Sequence, residues 1–177
     1  MRHLNRVCVL AIAFGICACA SVPMAPSNWD ATAKTFQPPP PDRGYVYVYR
    51  NQALPPQVRT NLFLDRQPAG TIVRYTFALL PVRPGHHTLV AEGENRDSVL
   101  PLDVSGGETI FVWLEIDRGG DGPNAVLHLV PQEEGREWVP GCNLIAFPPP
   151  PLPPAPAETQ APLPAPVSGS PASPAAQ

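Results

Sequence analysis

His86 and His87 are the only adjacent pair of strong metal ligands in this chain. Neighbours on an extended strand point to opposite faces, so the two imidazoles would diverge. A zinc site needs three or four converging ligands. His128 is the third candidate and there is no cysteine cluster, so no metal site is expected. Instead, His87 is expected to pack in a strand after the Pro84-Gly85 turn, with His86 exposed. Asp117-Arg118-Gly119-Gly120-Asp121-Gly122 has the acids and glycines of a calcium loop. It lacks the alternating oxygen ligands and closing bidentate glutamate of that motif, and reads as a solvated hairpin loop. Its glycines have neither Walker nor Rossmann spacing, so no phosphate-binding cofactor is implied. There is no G-x-S-x-G, and Ser98 and Ser105 have no local partner that would activate them as nucleophiles. The expectation is a protein that is not an enzyme, with no catalytic residues, cofactor, metal or identified small-molecule substrate.

Cys19 is the residue with the clearest chemistry. Before it stand a short basic head with Arg2 and Arg6, an apolar run over residues 7–18, and Ile16-Cys17-Ala18-Cys19. Basic head, short greasy stretch and small-residue cut site are the parts of a secretory signal peptide. The last four residues resemble a bacterial lipobox, whose cysteine is acylated and becomes the first residue of the mature protein. The apolar run is shorter than the ~20 residues of a membrane-spanning helix. Ala18-Cys19-Ala20 also fits an ordinary A-x-A cut, which would release a soluble periplasmic or secreted protein; a retained anchor is the third reading. The lipid explains why a cysteine stands at the boundary. Ala20, where an inner-membrane lipoprotein would carry Asp, favours a lipid-anchored, periplasm-facing protein of the outer membrane.

Composition agrees with an exported chain. Cys8 and Cys17 leave with the signal and Cys19 takes the lipid, so Cys142 alone remains and no intramolecular disulfide can form. It is expected to be a semi-buried bystander. Beyond Arg6 the chain holds ten Lys+Arg against fifteen Asp+Glu, and the basic residues stand singly. Nucleic-acid binding needs a concentrated positive footprint, which is missing.

The elements that would position these groups follow from period and punctuation. Residues 1–18 are the signal, and 19–43 read as a tether with an extended polyproline stretch at Gln37-Pro38-Pro39-Pro40-Pro41. Residues 44–147 form the folded domain, large enough to bury a core unaided. In it Tyr45-Val46-Tyr47-Val48-Tyr49 alternates strictly, three tyrosines on one face and two valines on the other. The valines are expected to face inward. Tyr45, Tyr47 and Tyr49 pack along the outer face, where they are the best candidate for a binding surface. Further strands are expected over 58–64, 70–73, 75–79, 87–91, 98–104, 109–116 and 125–130, with a turn over 81–85. Pro101 marks an edge or bulge because it cannot donate to a ladder, and residues 133–138 could form one helical turn. Seven or eight short strands with regular turns give an all-β, Greek-key-like sandwich. Residues 148–177 hold twelve prolines and one charge, Glu158, and read as a disordered, semi-rigid tail.

The ordered set of Gly44-Tyr45-Val46-Tyr47-Val48-Tyr49-Arg50, Val58 through Leu64 into Asp65, Tyr75-Thr76-Phe77, Pro84-Gly85-His86-His87-Thr88-Leu89 and Ser105-Gly106-Gly107-Glu108 covers residues 44–130. It resembles a bacterial lipoprotein family defined by a domain of unknown function, number 2846, related to PEGA-type and prealbumin-like β-sandwiches. The chain departs from it after Leu64, where such domains commonly show Asp-Gly, and in its proline-rich tail. The resemblance implies a compact sandwich in the cell envelope and carries no activity or catalytic residue. The function expected is that of a non-enzymatic envelope lipoprotein, bound to the membrane by its N-terminal lipid and presenting a surface to an envelope protein or peptidoglycan. The alternative is an accessory subunit of an envelope transport or assembly complex.

Overall fold

A computed structural model describes residues 21–53, 58–119 and 122–147. The signal and Cys19, and the tail over 148–177, lie outside the described residues. The described chain is a β-sandwich of two sheets. Its strands are β1 (Gly44–Arg50), β2 (Thr60–Leu64), β3 (Gln67–Ile72), β4 (Thr76–Val82), β5 (Gly85–Ala91), β6 (Ser98–Val104), β7 (Thr109–Asp117), β8 (Asn124–Val130) and the two-residue β9 (Asn143–Leu144). Two short helices, α1 (Ser27–Ala33) and α2 (Gln132–Trp138), flank them. The five-stranded sheet has the order β8-β7-β1-β4-β9 and the four-stranded sheet β3-β2-β5-β6.

Most strands fall where period two places them. The turn expected over 81–85 is shorter: β4 continues through Pro81 to Val82 and β5 opens at Gly85. Pro81 is tolerated because β9 accompanies only the first residues of β4, Thr76 and Phe77, leaving the rest of that edge unpaired. Pro101 lies on β6, an edge strand, as its missing N–H requires. The β2–β3 hairpin turns on Asp65 and Arg66 alone, with φ 50° and 67°. Two left-handed residues make the mirror-image turn that suits strand twist and usually holds Gly second. Arg66 is the non-glycine departure noticed in the sequence.

Val46 and Val48 join Leu62, Ile72, Leu80, Leu89, Val112 and Leu114 in the core between the sheets. The three tyrosines do point to the opposite face, but that face is not open. Tyr45, Tyr47 and Tyr49 are 7%, 1% and 0% exposed. With Phe77, Phe111, Val139 and Cys142 they form a second core, to which Ala33 and Phe36 add from the N-terminal segment. This corrects the expected binding surface: helices from both ends of the chain roof the aromatic face. Gly135 of α2 makes the contact close enough, since a Cβ there would stand 2.2 Å from the Phe111 ring.

The tether is corrected for the same reason. Residues 24–41 dock on the sandwich. Met24 bridges Ile145, the Tyr47 hydroxyl donates to the Ala33 carbonyl at 2.8 Å, and Pro39 is buried. At the far end of the polyproline stretch the Pro41 carbonyl lies 2.0 Å from where a Cβ on Gly106 would be, so that turn position requires glycine.

Candidate functional site

Four groups have chemistry to offer, and the fold uses each differently. His86 and His87 diverge as alternation requires, with side chains 94% and 14% exposed. His86 pairs with Asp103 across the sheet. His87 Nδ1 lies 2.6 Å from Asp65 Oδ2, and Nε2 lies 2.7 Å from the Arg83 carbonyl oxygen. An ionised carboxylate and a carbonyl only accept, so both ring nitrogens must carry protons and His87 is an imidazolium. Burial alone would lower its pKa, but the Asp65 and Arg83 bonds outweigh it and hold the pKa above the ordinary 6.5. The His87 bond in turn lowers the Asp65 pKa below 3.8, with a smaller contribution from the Thr88 N–H. The clamp thus joins the β2–β3 turn to the β4–β5 turn.

The linkage sign follows. His87 binds its proton more tightly when folded, so its contribution is complete below pH 6.5 and is lost as pH rises through the higher folded pKa. Asp65 contributes above pH 3.8 and loses its contribution as pH falls through the lower folded value. Chemical denaturation between pH 4 and 9 should therefore show stability declining on the alkaline side of 6.5, and His87→Gln should flatten that decline. An unchanged slope in the variant would remove the clamp from the account.

His128 sits on the other sheet, stacked on Trp113 at 5.1 Å between centroids and bonded to Glu115 at 2.8 Å. Among the described residues no three His, Cys, Asp or Glu gather as metal ligands. Ser98 Oγ accepts the Leu127 N–H at 2.9 Å, bridging the two sheets. Asp117 accepts the Gly119 N–H at 3.1 Å; Gly120 and Asp121 of that loop are outside the described residues. Cys142 is fully buried, not half-buried, and burial pushes its thiol up to about 11.

Sequence reasoning missed two features. Arg50 continues the inward alternation of Val46 and Val48 and is 0% exposed. Its Nη1 donates to the Val58 carbonyl at 2.8 Å, while Nε and Nη2 have no partner among the described residues. Burial, with the like charge of Arg118, pulls its pKa down to about 10. Only the alternation itself signalled a cation inside. The second feature is a groove of about 490 Å³ at the open side of the sandwich, between β3 and the unpaired part of β4. Ala69, Leu80, Val82 and Phe147 line it, and the Asp65–His87 pair stands at its rim.

Among the described residues no helix is long and apolar enough to cross a membrane. No family model matches the chain, and no solved structure matches it. The chain is similar to an uncharacterized protein of Haemophilus influenzae, 27% identical over 139 residues, which cover 78% of this chain and 83% of that one.

Proposed function

We propose that this protein is a non-enzymatic cell-envelope lipoprotein, a β-sandwich held at the periplasmic face of the outer membrane by lipid on Cys19. The observation that carries the reading is the order of residues 1–19: basic head, short apolar run, then Ile16-Cys17-Ala18-Cys19. The likeness of the strand and turn motifs to the family of domain of unknown function 2846 belongs to the same proposal. The domain's own design is compatible with it. Val22 already packs on the inter-sheet core, so only Ala20 and Ser21 stand between it and Cys19, three residue steps in all. At ~3.5 Å per residue that link spans about 10 Å. The sandwich would then ride directly on the membrane surface, not on a stalk.

Metabolic labelling with a palmitate analogue tests this. Label should enter the unmutated chain and be absent from Cys19→Ala. Label retained in the variant, or missing from both, rejects the lipoprotein reading, and recovery of the intact chain from the periplasm would support the soluble alternative. The accessory-subunit reading has one observation in its favour. Among the edge strands, β8 has no internal proline and leaves Leu129 exposed, so the part of its edge beyond the Leu127 N–H that Ser98 takes suits addition of a partner strand. Crosslinking in intact cells separates the two, since a discrete protein partner supports the accessory role and recovery with peptidoglycan the structural one.

A further inference from the structure

The gap between the two sheets is closed unevenly along the β3–β4 side. Its lower half is plugged by the chain leaving β9. The Ile145 N–H donates to the Phe77 carbonyl at 2.9 Å. Ile145 and Phe147 both reach across to β3, where a Cβ on Gly70 would stand 2.5 Å from Ile145 Cδ1 and 3.7 Å from Phe147 Cβ. The upper half is the 490 Å³ groove, and Phe147, the last described residue, forms part of its wall. Phe147 thus stands at the lower end of the groove, and in the sequence residues 148–152, Pro-Pro-Pro-Pro-Leu, follow it.

We propose that this groove is a binding site for an extended proline-rich segment, and that its occupant is residues 148–152 of the same chain. Length agrees. The open stretch of β4 from Leu79 to Val82 is four residues, ~14 Å at 3.4 Å each, and five polyproline residues span ~15 Å. Hydrogen-bonding capacity agrees as well. Phe77 turns its carbonyl to the open side, so by the two-residue repeat Leu79 and Pro81 do the same, and Pro81 has no N–H to give. Pro68 on the facing strand β3 has none either. These walls cannot complete a β-ladder, whereas a polyproline helix needs none and arrives already extended. The groove wall is apolar in Ala69, Leu80, Val82 and Phe147, and so is the segment. The pairing is independent of how the N-terminus is anchored.

Paramagnetic NMR on the full chain tests this. Cys8, Cys17 and Cys19 are replaced by serine, buried Cys142 is left, and a nitroxide is attached at Leu152→Cys. The amide signals of Ala69, Leu80 and Val82 should be lost relative to a diamagnetic label, while those of Ile116 and Asn124 at the opposite end of the sandwich persist. No selective loss overturns the proposal. Loss seen only when spin-labelled, unenriched chain is mixed with unlabelled, isotope-enriched chain also overturns it, because the occupant is then a second copy. Replacing all four prolines 148–151 by glycine should restore the groove signals; if they remain lost, the polyproline conformation is not what the groove recognises.

Discussion

Tyr47→Ala is expected to destabilise the protein by about 3–5 kcal/mol, the range for deleting a buried aromatic side chain. Tyr47 is the centre of the second core. Its ring stacks on Phe111 at 4.9 Å and on Phe77 at 6.0 Å, and Phe36 tilts against it at 5.5 Å. Its hydroxyl donates to the carbonyl of Ala33, the last residue of α1. Deletion therefore leaves a cavity among rings and removes one of the two hydrogen bonds the Ala33 carbonyl accepts, the other coming from the Phe36 N–H. Tyr47→Phe isolates the second part and should cost about 0.5–1.5 kcal/mol, the net value of one hydrogen bond, since the Ala33 carbonyl keeps the Phe36 N–H. Both are read as a shift in the urea midpoint. Loss below about 1 kcal/mol for the alanine variant would mean that the aromatic face is not a true core. Alkaline titration adds a sign. Burial raises the Tyr47 pKa well above 10 and pushes Tyr49 up to about 12. Folding then favours the protonated phenols, and their contribution is lost as pH rises above 10. The Tyr47–Ala33 bond also helps keep the N-terminal segment against the sheet.

Arg50→Met is expected to have the opposite effect, raising stability by about 1–3 kcal/mol, the desolvation cost of leaving a buried polar group unpaired. The guanidinium is fully buried with a single bond, to Val58, and two nitrogens unpaired among the described residues. A buried charge without a partner is unfavourable, and an apolar side chain of similar length removes that cost while keeping the packing. One bond is lost, and its acceptor, the Val58 carbonyl, belongs to a residue that is only partly buried. Arg50→Ala separates charge from volume, since it removes both and should not gain. If Arg50→Met instead lowers the midpoint, the free Nε–Nη2 edge meets an acceptor in the working protein. That edge is the one an arginine offers to a carboxylate or phosphate.

How far the sequence reached differs from residue to residue. The β2 and β7 segments are short runs rich in apolar residues bounded by turns that carry Gly, Pro or Asp, so both were legible. Edge placement of Pro101 followed from its missing donor. The divergence of His86 and His87 followed from the pleat. Their partners did not, since Asp65 and Arg83 reach His87 through two different turns. Polyproline composition suggested a free stalk over 37–41, but the carbonyl of Pro41 fits against Gly106, and no local signal marks a contact between residues so far apart.

By itself the sequence determined the all-β class and the pleat of β1, because each rests on neighbours along the chain. Tertiary structure alone decided which faces are dry. Alternation says that tyrosines and valines point apart; whether either side meets water depends on what covers it. Here α1, α2 and Phe36 come from both ends of the chain to cover the tyrosines. Among the described residues nothing fills the upper gap between β3 and β4, and the apolar groove left there has Phe147 in its wall.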